Sequence, residues 1–435
     1  MKYFLTIGLW IGMTLVTTPL ISQTVFTSLE DVLAYSETTN LDVVANNIQL
    51  ESSKKLERVS KIGRFDPKIQ FPITYTNNTT VPVNLLPAEA FGGEPGTFRE
   101  VQFGQQYNLN FTQSLEVSLY NPVGWMDYSL AKLNTKITEN NSRLTIQQLH
   151  QSIADNYYHI INLQKQQASA EKNLQTADSL LIITKNKYDN GLARQQEVNN
   201  AQVNRLTLAQ QLDQIAYSMT DAYYNLKVLL HLPDSETVEI NEVPPTDATI
   251  PMAAPNPLMR SNLLLQQEYA QQDYLKTQKA FLPTVSFVAG NTFQANGNDF
   301  YAVNGDWLTN NYLGVRVGFN LPNKQTLTNR EVAKLNKELA DNNFRKNQAT
   351  LAAEAEKLNN NYQKAIAQYE STLKIGTINR DSYDKNVNLY REGLVDLSVV
   401  LDSYTAVVNS DYNENSAWSQ VQLAKAKIFI NNKSY

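Results

Sequence analysis

Three histidines, His150, His159 and His231, are all the imidazole in a chain of 435 residues, and there is no cysteine. Thiolate metal sites, a cysteine nucleophile, disulfide bonds and an N-terminal lipid anchor are thereby excluded. His150 and His159 fall in one long helical run but share no close helical face. His231 falls at a helix end, where the dipole favours a cation. No Ser-His-Asp set or carboxylate pair stands out, and no G-x-x-x-x-G-K-[ST] loop occurs. The reading is therefore not an enzyme, with no metal and no cofactor. A formal charge of −5 gives no basic stripe for nucleic acid. The charges worth following are Lys68 and Arg316 in alternating segments, and Asp396 and Asp402 after a Gly-Leu pair. Paired tyrosines, Tyr157-Tyr158 and Tyr223-Tyr224, read as packing between helices with hydroxyls reaching water.

The elements that hold these groups follow from proline. The 15 prolines cluster, leaving long stretches free of them at 20–66, 123–232 and 323–435. Proline removes a backbone donor and clashes with the preceding turn, so these are the stretches where long helices can run. Residues 127–190 read as one rod of about 96 Å at 1.5 Å per residue. Residues 325–392 read as a second, interrupted only by Gly376. Shorter helices are expected at 29–62, 194–230, 257–280 and 394–430. In each half, two of these would lie end to end alongside one rod. Helices of such length with narrow apolar stripes pack as coiled coils or extended bundles.

Between the helices the period changes to two, the mark of strands with one apolar face. Ile69, Phe71, Ile73 and Tyr75 alternate with polar neighbours, and so do Tyr107, Leu109, Phe111, Leu115, Val117 and Leu119, with Gln113 the exception. Val285, Phe287, Ala289 and Phe293 follow, broken by Asn291, then Leu313, Val315, Val317, Phe319 and Leu321. Segments of about 9–13 residues suit a membrane-spanning strand. Lipid cannot satisfy an open edge, and four strands are too few to close a barrel, so several copies must share one. Lys68 and Arg316 would then face the lumen. The stretches 77–104 and 294–310 read as loops on the outer side. Tyr107, Tyr120, Trp125, Trp307 and Tyr312 would mark the bilayer interfaces.

The chain also repeats itself. Phe65-Asp66-Pro67-Lys68-Ile69-Gln70-Phe71 matches Phe281-Leu282-Pro283-Thr284-Val285-Ser286-Phe287, and Tyr188-Asp189-Asn190-Gly191-Leu192 matches Tyr390-Arg391-Glu392-Gly393-Leu394. The expected organisation is a signal peptide at 1–22 (Lys2, an apolar run from Tyr3 to Val16, then Pro19) and a first repeat at 23–230. A linker at 231–256 follows, lying near the middle of the rods, then a second repeat at 257–430 and a tail at 431–435.

In this order of elements the sequence resembles the TolC family of outer-membrane efflux and secretion channels. The local signals are Gly191-Leu192 followed by Ala201-Gln202, and Gly393-Leu394 followed by Val400-Leu401-Asp402. The resemblance implies a mainly α protein with membrane β-structure: a homotrimer sharing a 12-stranded transmembrane β-barrel, continued by a long periplasmic α-helical barrel. It implies outer-membrane lipid around the barrel, a periplasmic adaptor protein at the tip formed by Gly191, Leu192, Gly393 and Leu394, and an inner-membrane pump reached through the adaptor. In well-known members acidic side chains narrow the pore near this tip. Asp402 matches one such position, Val399 stands where some members carry a second acid, Asp396 lies close by, and Asn200 is the first-repeat counterpart of Asp402. The constriction implied is less acidic than in some relatives. The function implied is passive passage from a tripartite pump assembly to the exterior. The alternatives are the exit duct of a type I protein secretion system and, in another class, a non-transport structural or adhesive coiled-coil assembly.

Overall fold

The computed structural model describes residues 23–242, 251–300, 306–433 and 435, so the expected signal peptide at 1–22 lies outside the described residues. In chain order the elements are β1 (Gln23–Phe26), α1 (Leu29–Thr39), α2 (Leu41–Gly63), β2 (Lys68–Gln70), β3 (Ile73–Asn77), β4 (Val83–Pro87), a 3-10 turn (Ala88–Phe91), β5 (Phe98–Gln102), β6 (Tyr107–Tyr120) and α3 (Pro122–Asp189). The second half brings α4 (Gln195–Leu230), β7 (Thr237–Ile240), α5 (Pro257–Lys279), β8 (Thr284–Gly297), β9 (Leu308–Gly318), α6 (Lys324–Arg391) and α7 (Leu397–Asn432). No described helix is long and apolar enough to cross a membrane.

Both rods are present, each 68 residues long. The first begins at Pro122 rather than at 127. Proline lacks a donor that the first turn does not need, and the Asn121 Oδ1 accepts the Gly124 N–H at 3.0 Å. The second runs through Gly376 without a break. A Cβ there would meet the Glu414 Oε2 at 3.3 Å, so this glycine admits α7 rather than ending α6.

The helix expected over 29–62 is split at Asn40, whose backbone is extended (φ −68, ψ 126). Its side chain explains the break. The Oδ1 accepts from the N–H groups of Asp42 at 2.8 Å and Val43 at 3.3 Å, capping α2. The Nδ2 donates to the Leu229 carbonyl at 2.8 Å, at the end of α4. The end of α7 is tied likewise: Asn431 donates to the Ala254 carbonyl at 2.7 Å and Asn432 to the Met252 carbonyl at 3.0 Å, just ahead of α5.

The chain divides into two compact units. One comprises Met1–Val44, Thr145–Ala254 and Glu354–Tyr435. Its main core is apolar and centres on Ile153, Tyr157, Ile160, Leu226, Leu230, Ile240 and Ile430, all essentially inaccessible to solvent. The segment expected to be only a linker contributes β7 to this core, paired in parallel with β1. The other unit comprises Ala45–Leu144 and Pro255–Ala353 and carries the main sheet, in the order β2/β3-β6-β8-β9, antiparallel throughout. Pro72, with no N–H to give the ladder, divides the first strand into β2 and β3, and both pieces pair with β6. The final strand lies earlier than its apolar pattern suggests. Its partner β8 starts at Thr284, opposite Gly318, so Phe319 and Leu321 fall beyond the ladder. The stretch 77–104, read as a loop, contains a β4–β5 hairpin.

Candidate channel wall and helical turns

The register of the sheet separates its two faces. One carries the rows Ile69–Leu115–Ala289–Leu313, Ile73–Phe111–Phe293 and Val117–Phe287–Val315. No described residue buries the outer rows on a core: Ile73 is 68% exposed and Leu313 75%. Gln113 and Asn291, which looked like separate flaws in the pattern, stand side by side with Asn311 in one amide row across this face.

The opposite face is polar. Thr112 and Thr292 approach to 3.3 Å across the strands, and Ser118 and Ser286 to 3.4 Å. Lys68 and Arg316 lie on this face, as the alternation required, but both are paired. Arg316 donates to the Glu116 carboxylate at 2.7 Å and Lys68 meets Asp66 at 2.7 Å. The face is thus polar with local charge compensation rather than a bare ring of cations. Tyr312 also belongs to this face, and it stands mid-strand rather than near a strand end, because β9 begins at Leu308. Its ring covers Gly290, where an added Cβ would sit 2.5 Å from it.

Both outer edges of the sheet lack a partner among the described residues: β2 and β3 pair only with β6, and β9 only with β8. An amphipathic sheet with two free edges and no core beneath its apolar face is not a finished structure in water or in lipid.

In the helical unit, the two Gly-Leu pairs adopt one geometry. Gly191 (φ 73) and Gly393 (φ 79) are left-handed. The Gly191 N–H donates to the Tyr188 carbonyl at 2.9 Å and Leu192 to Lys187 at 2.8 Å. Gly393 donates to Tyr390 at 3.0 Å and Leu394 to Leu389 at 2.9 Å. This bond pair closes the exposed carbonyls of each rod, and it requires positive φ at the glycine. The space around both glycines is open, so backbone conformation rather than crowding selects them. Leu192 and Leu394 project outward, 74% and 67% exposed.

Beneath the turns, Leu180, Leu181, Val198, Ala201, Tyr390, Leu397 and Val400 form a small core. Tyr390 links the repeats. Its hydroxyl donates to the Glu197 carboxylate at 3.3 Å, and its carbonyl and ring both receive Lys187. The sequence marks Tyr390 only as part of the repeated turn motif. Asp396 stands at the N-cap of α7 without a side-chain cap bond. Asp402, Val399 and Asn200 face away from this core and are exposed. Asn200 and Asp402 hold equivalent places in α4 and α7, and Val399 stands where the first repeat has Glu197, which accepts from the Arg194 N–H at 3.2 Å.

Of the histidines, His150 is fully buried and His159 exposed. The His150 Nδ1 lies 2.9 Å from the Tyr435 hydroxyl and its Nε2 3.3 Å from the Glu37 carboxylate. Burial pushes its pKa down to about 4, Lys433 adding to the effect and Glu37 opposing it. Among the described residues no group of three histidine, aspartate or glutamate side chains is placed to hold a metal.

Residues 254–429 match the family described as outer membrane efflux protein. The match covers most of the second half of the chain, which is similar to that family. No curated protein matches the chain in sequence. The fold likeness extends over both halves. The outer membrane protein VceC of Vibrio cholerae superposes with a TM-score of 0.78 at 15% identity, covering 93% of this chain and 96% of VceC. The Campylobacter jejuni CmeC outer membrane channel gives 0.68 at 16% identity, covering 93% and 85%. The open state of the Neisseria gonorrhoeae MtrE outer membrane channel gives 0.69 at 11% identity, covering 93% and 88%. The resemblance drawn from the order of elements and the Gly-Leu turns is borne out by the family match over the second half and by the fold likeness over 93% of the chain.

Proposed function

We infer that this chain is an efflux channel that resides in an outer membrane, extends into the periplasm and provides passive passage to the exterior, as a homotrimer whose three sheets close one 12-stranded barrel. The observation that carries the reading is the amphipathic sheet with two free edges. Lipid would cover the apolar rows, and joining β9 of one copy to β2 and β3 of the next would satisfy both edges. The polar face with Thr112, Thr292, Glu116, Lys68 and Arg316 would line a wet lumen. The repeated turns, with Gly191, Leu192, Gly393 and Leu394 at their tips, support docking of a periplasmic adaptor that connects an inner-membrane pump. The exposed leucines are the contact expected there.

The exposed Asp402 suits a constriction, since three copies around one axis would attract cations, and Asp396, Val399 and Asn200 would set its surroundings. The family description supports efflux as the leading reading, with the exit duct of a protein secretion system as the alternative. A purely structural assembly leaves the free-edged sheet unexplained. Planar-bilayer recording tests the function: purified protein should conduct, and Asp402→Ala should alter conductance and weaken block by multivalent cations. Absence of conductance would sink the conduit, and unchanged block in the variant would remove Asp402 from the constriction.

A further inference from the structure

Where α2 ends and α3 begins, the Arg64 guanidinium sits among three aromatic rings. Its central carbon is 4.2 Å from the Trp125 ring centre, 4.8 Å from Phe65 and 5.6 Å from Tyr128. Phe65 and Trp125 meet edge-on at 6.3 Å. Gly124 permits this approach, since a Cβ there would come within 3.0 Å of the Arg64 Cα. Rings of this kind occupy the faces of a guanidinium and leave its in-plane donors unused. No described side chain or carbonyl accepts from those donors, and the Nε is buried without a partner. The carboxylates next in sequence to the cage's rings are committed elsewhere, Asp66 beside Phe65 to Lys68 at 2.7 Å and Asp127 between Trp125 and Tyr128 to Lys276 at 2.6 Å.

The position of this cage identifies what would complete it. The Phe65 carbonyl accepts from the Ser118 N–H at 2.7 Å, so the cage adjoins the helix-side end of β6, just past the apolar row of Val117, Phe287 and Val315. Trp125 and Phe65 remain 45% and 39% exposed. If the sheet spans a bilayer, this is headgroup depth, where tryptophan concentrates and arginine reaches phosphate.

We propose that Arg64, held by Trp125, Phe65 and Tyr128, binds the phosphate of a membrane phospholipid at the helix-side rim of the sheet. The proposal rests on the membrane reading given above. Native mass spectrometry of the full-length protein in detergent, titrated with phosphatidylglycerol, tests it. Wild type should retain lipid, and Arg64→Gln should retain it about tenfold more weakly, the scale of one charge-assisted hydrogen bond. Arg64→Lys, which keeps the charge but not the planar stacking, should fall between them and guards against loss of fold in the first variant.

Equal retention by Arg64→Gln overturns the proposal. So does equal retention of diacylglycerol, which lacks the phosphate, or displacement of lipid by millimolar inorganic phosphate, which would mark a free-anion site. Loss of trimer with unchanged lipid in Arg64→Gln would instead assign the guanidinium to a neighbouring copy and overturn it as well. Conductance of the same preparations separates the two levels. A silent wild type fails the membrane reading, whereas a conducting wild type with undiminished lipid in Arg64→Gln fails only the lipid site.

Discussion

Amide side chains hold this molecule together at points where apolar packing gives no direction. Asn140 donates to the Leu258 carbonyl at 2.9 Å and Gln147 to the Ile430 carbonyl at 3.0 Å. Asn359 accepts from the Ala253 N–H at 2.7 Å and donates to the Ala253 carbonyl at 3.3 Å. Gln147 satisfies a carbonyl of the last turn of α7 and Asn359 both backbone groups of Ala253, which would otherwise be left without these partners, while Asn140 adds a second bond to a carbonyl in the first turn of α5; this gives a physical reason for an Asn-rich composition. His150 makes a different contribution. Its folded pKa, about 4, lies below the 6.5 of a free imidazole, so the unfolded chain takes up the proton first. Stability from the neutral ring is complete above about 6.5 and is lost as pH falls toward 4, on the order of 2 kcal/mol by pH 5. The thermal midpoint should therefore drop between pH 7.5 and 5, and His150→Gln should narrow that drop. An undiminished drop would place the acid sensitivity on other groups.

At the scale of elements, one rule ends both rods. Gly191 and Gly393 are needed for a left-handed backbone, with open space around them. Gly393→Ala should lower stability by about 1 kcal/mol, the cost of that conformation for an L-residue. Gly393→Asn should lose less, since asparagine tolerates the region. Equal losses, read from denaturant midpoints, would show that something other than φ is constrained. His231 already occupies such a position at φ 53 at the end of α4, with Leu232 donating to the Lys227 carbonyl at 3.0 Å. The chain thus uses the same terminating bond without glycine where a histidine can bear it.

For the whole molecule, the decisive property is a sheet that one copy does not finish. The absence of cysteine makes a direct test available. Single cysteines at Ile73 in β3 and Val315 in β9 lie on opposite edge strands and on the same apolar face. Oxidation of the double variant Ile73→Cys/Val315→Cys, repeated at neighbouring same-face positions to find the register, should give covalent species ending at three chains. A ladder ending at two, or no ladder at any register, would refute closure by three copies.

Strand periodicity, proline spacing and the repeated Gly-Leu turns determine the order of the long helices and the main-sheet strands by themselves, because each is a local consequence of backbone sterics and side-chain alternation. The amphipathic sheet and the two long rods were legible for that reason. Other features required the fold. Asn40 breaks a helix that its neighbours favour because Leu229, far away in the chain, offers a carbonyl. The pairing of β7 with β1, the β4–β5 hairpin and the compensation of Arg316 by Glu116 join residues whose partners no local pattern names. The aromatic cage of Arg64 exists only because α2 ends against the first turn of α3, and proximity of that kind is decided by packing rather than by spacing along the sequence.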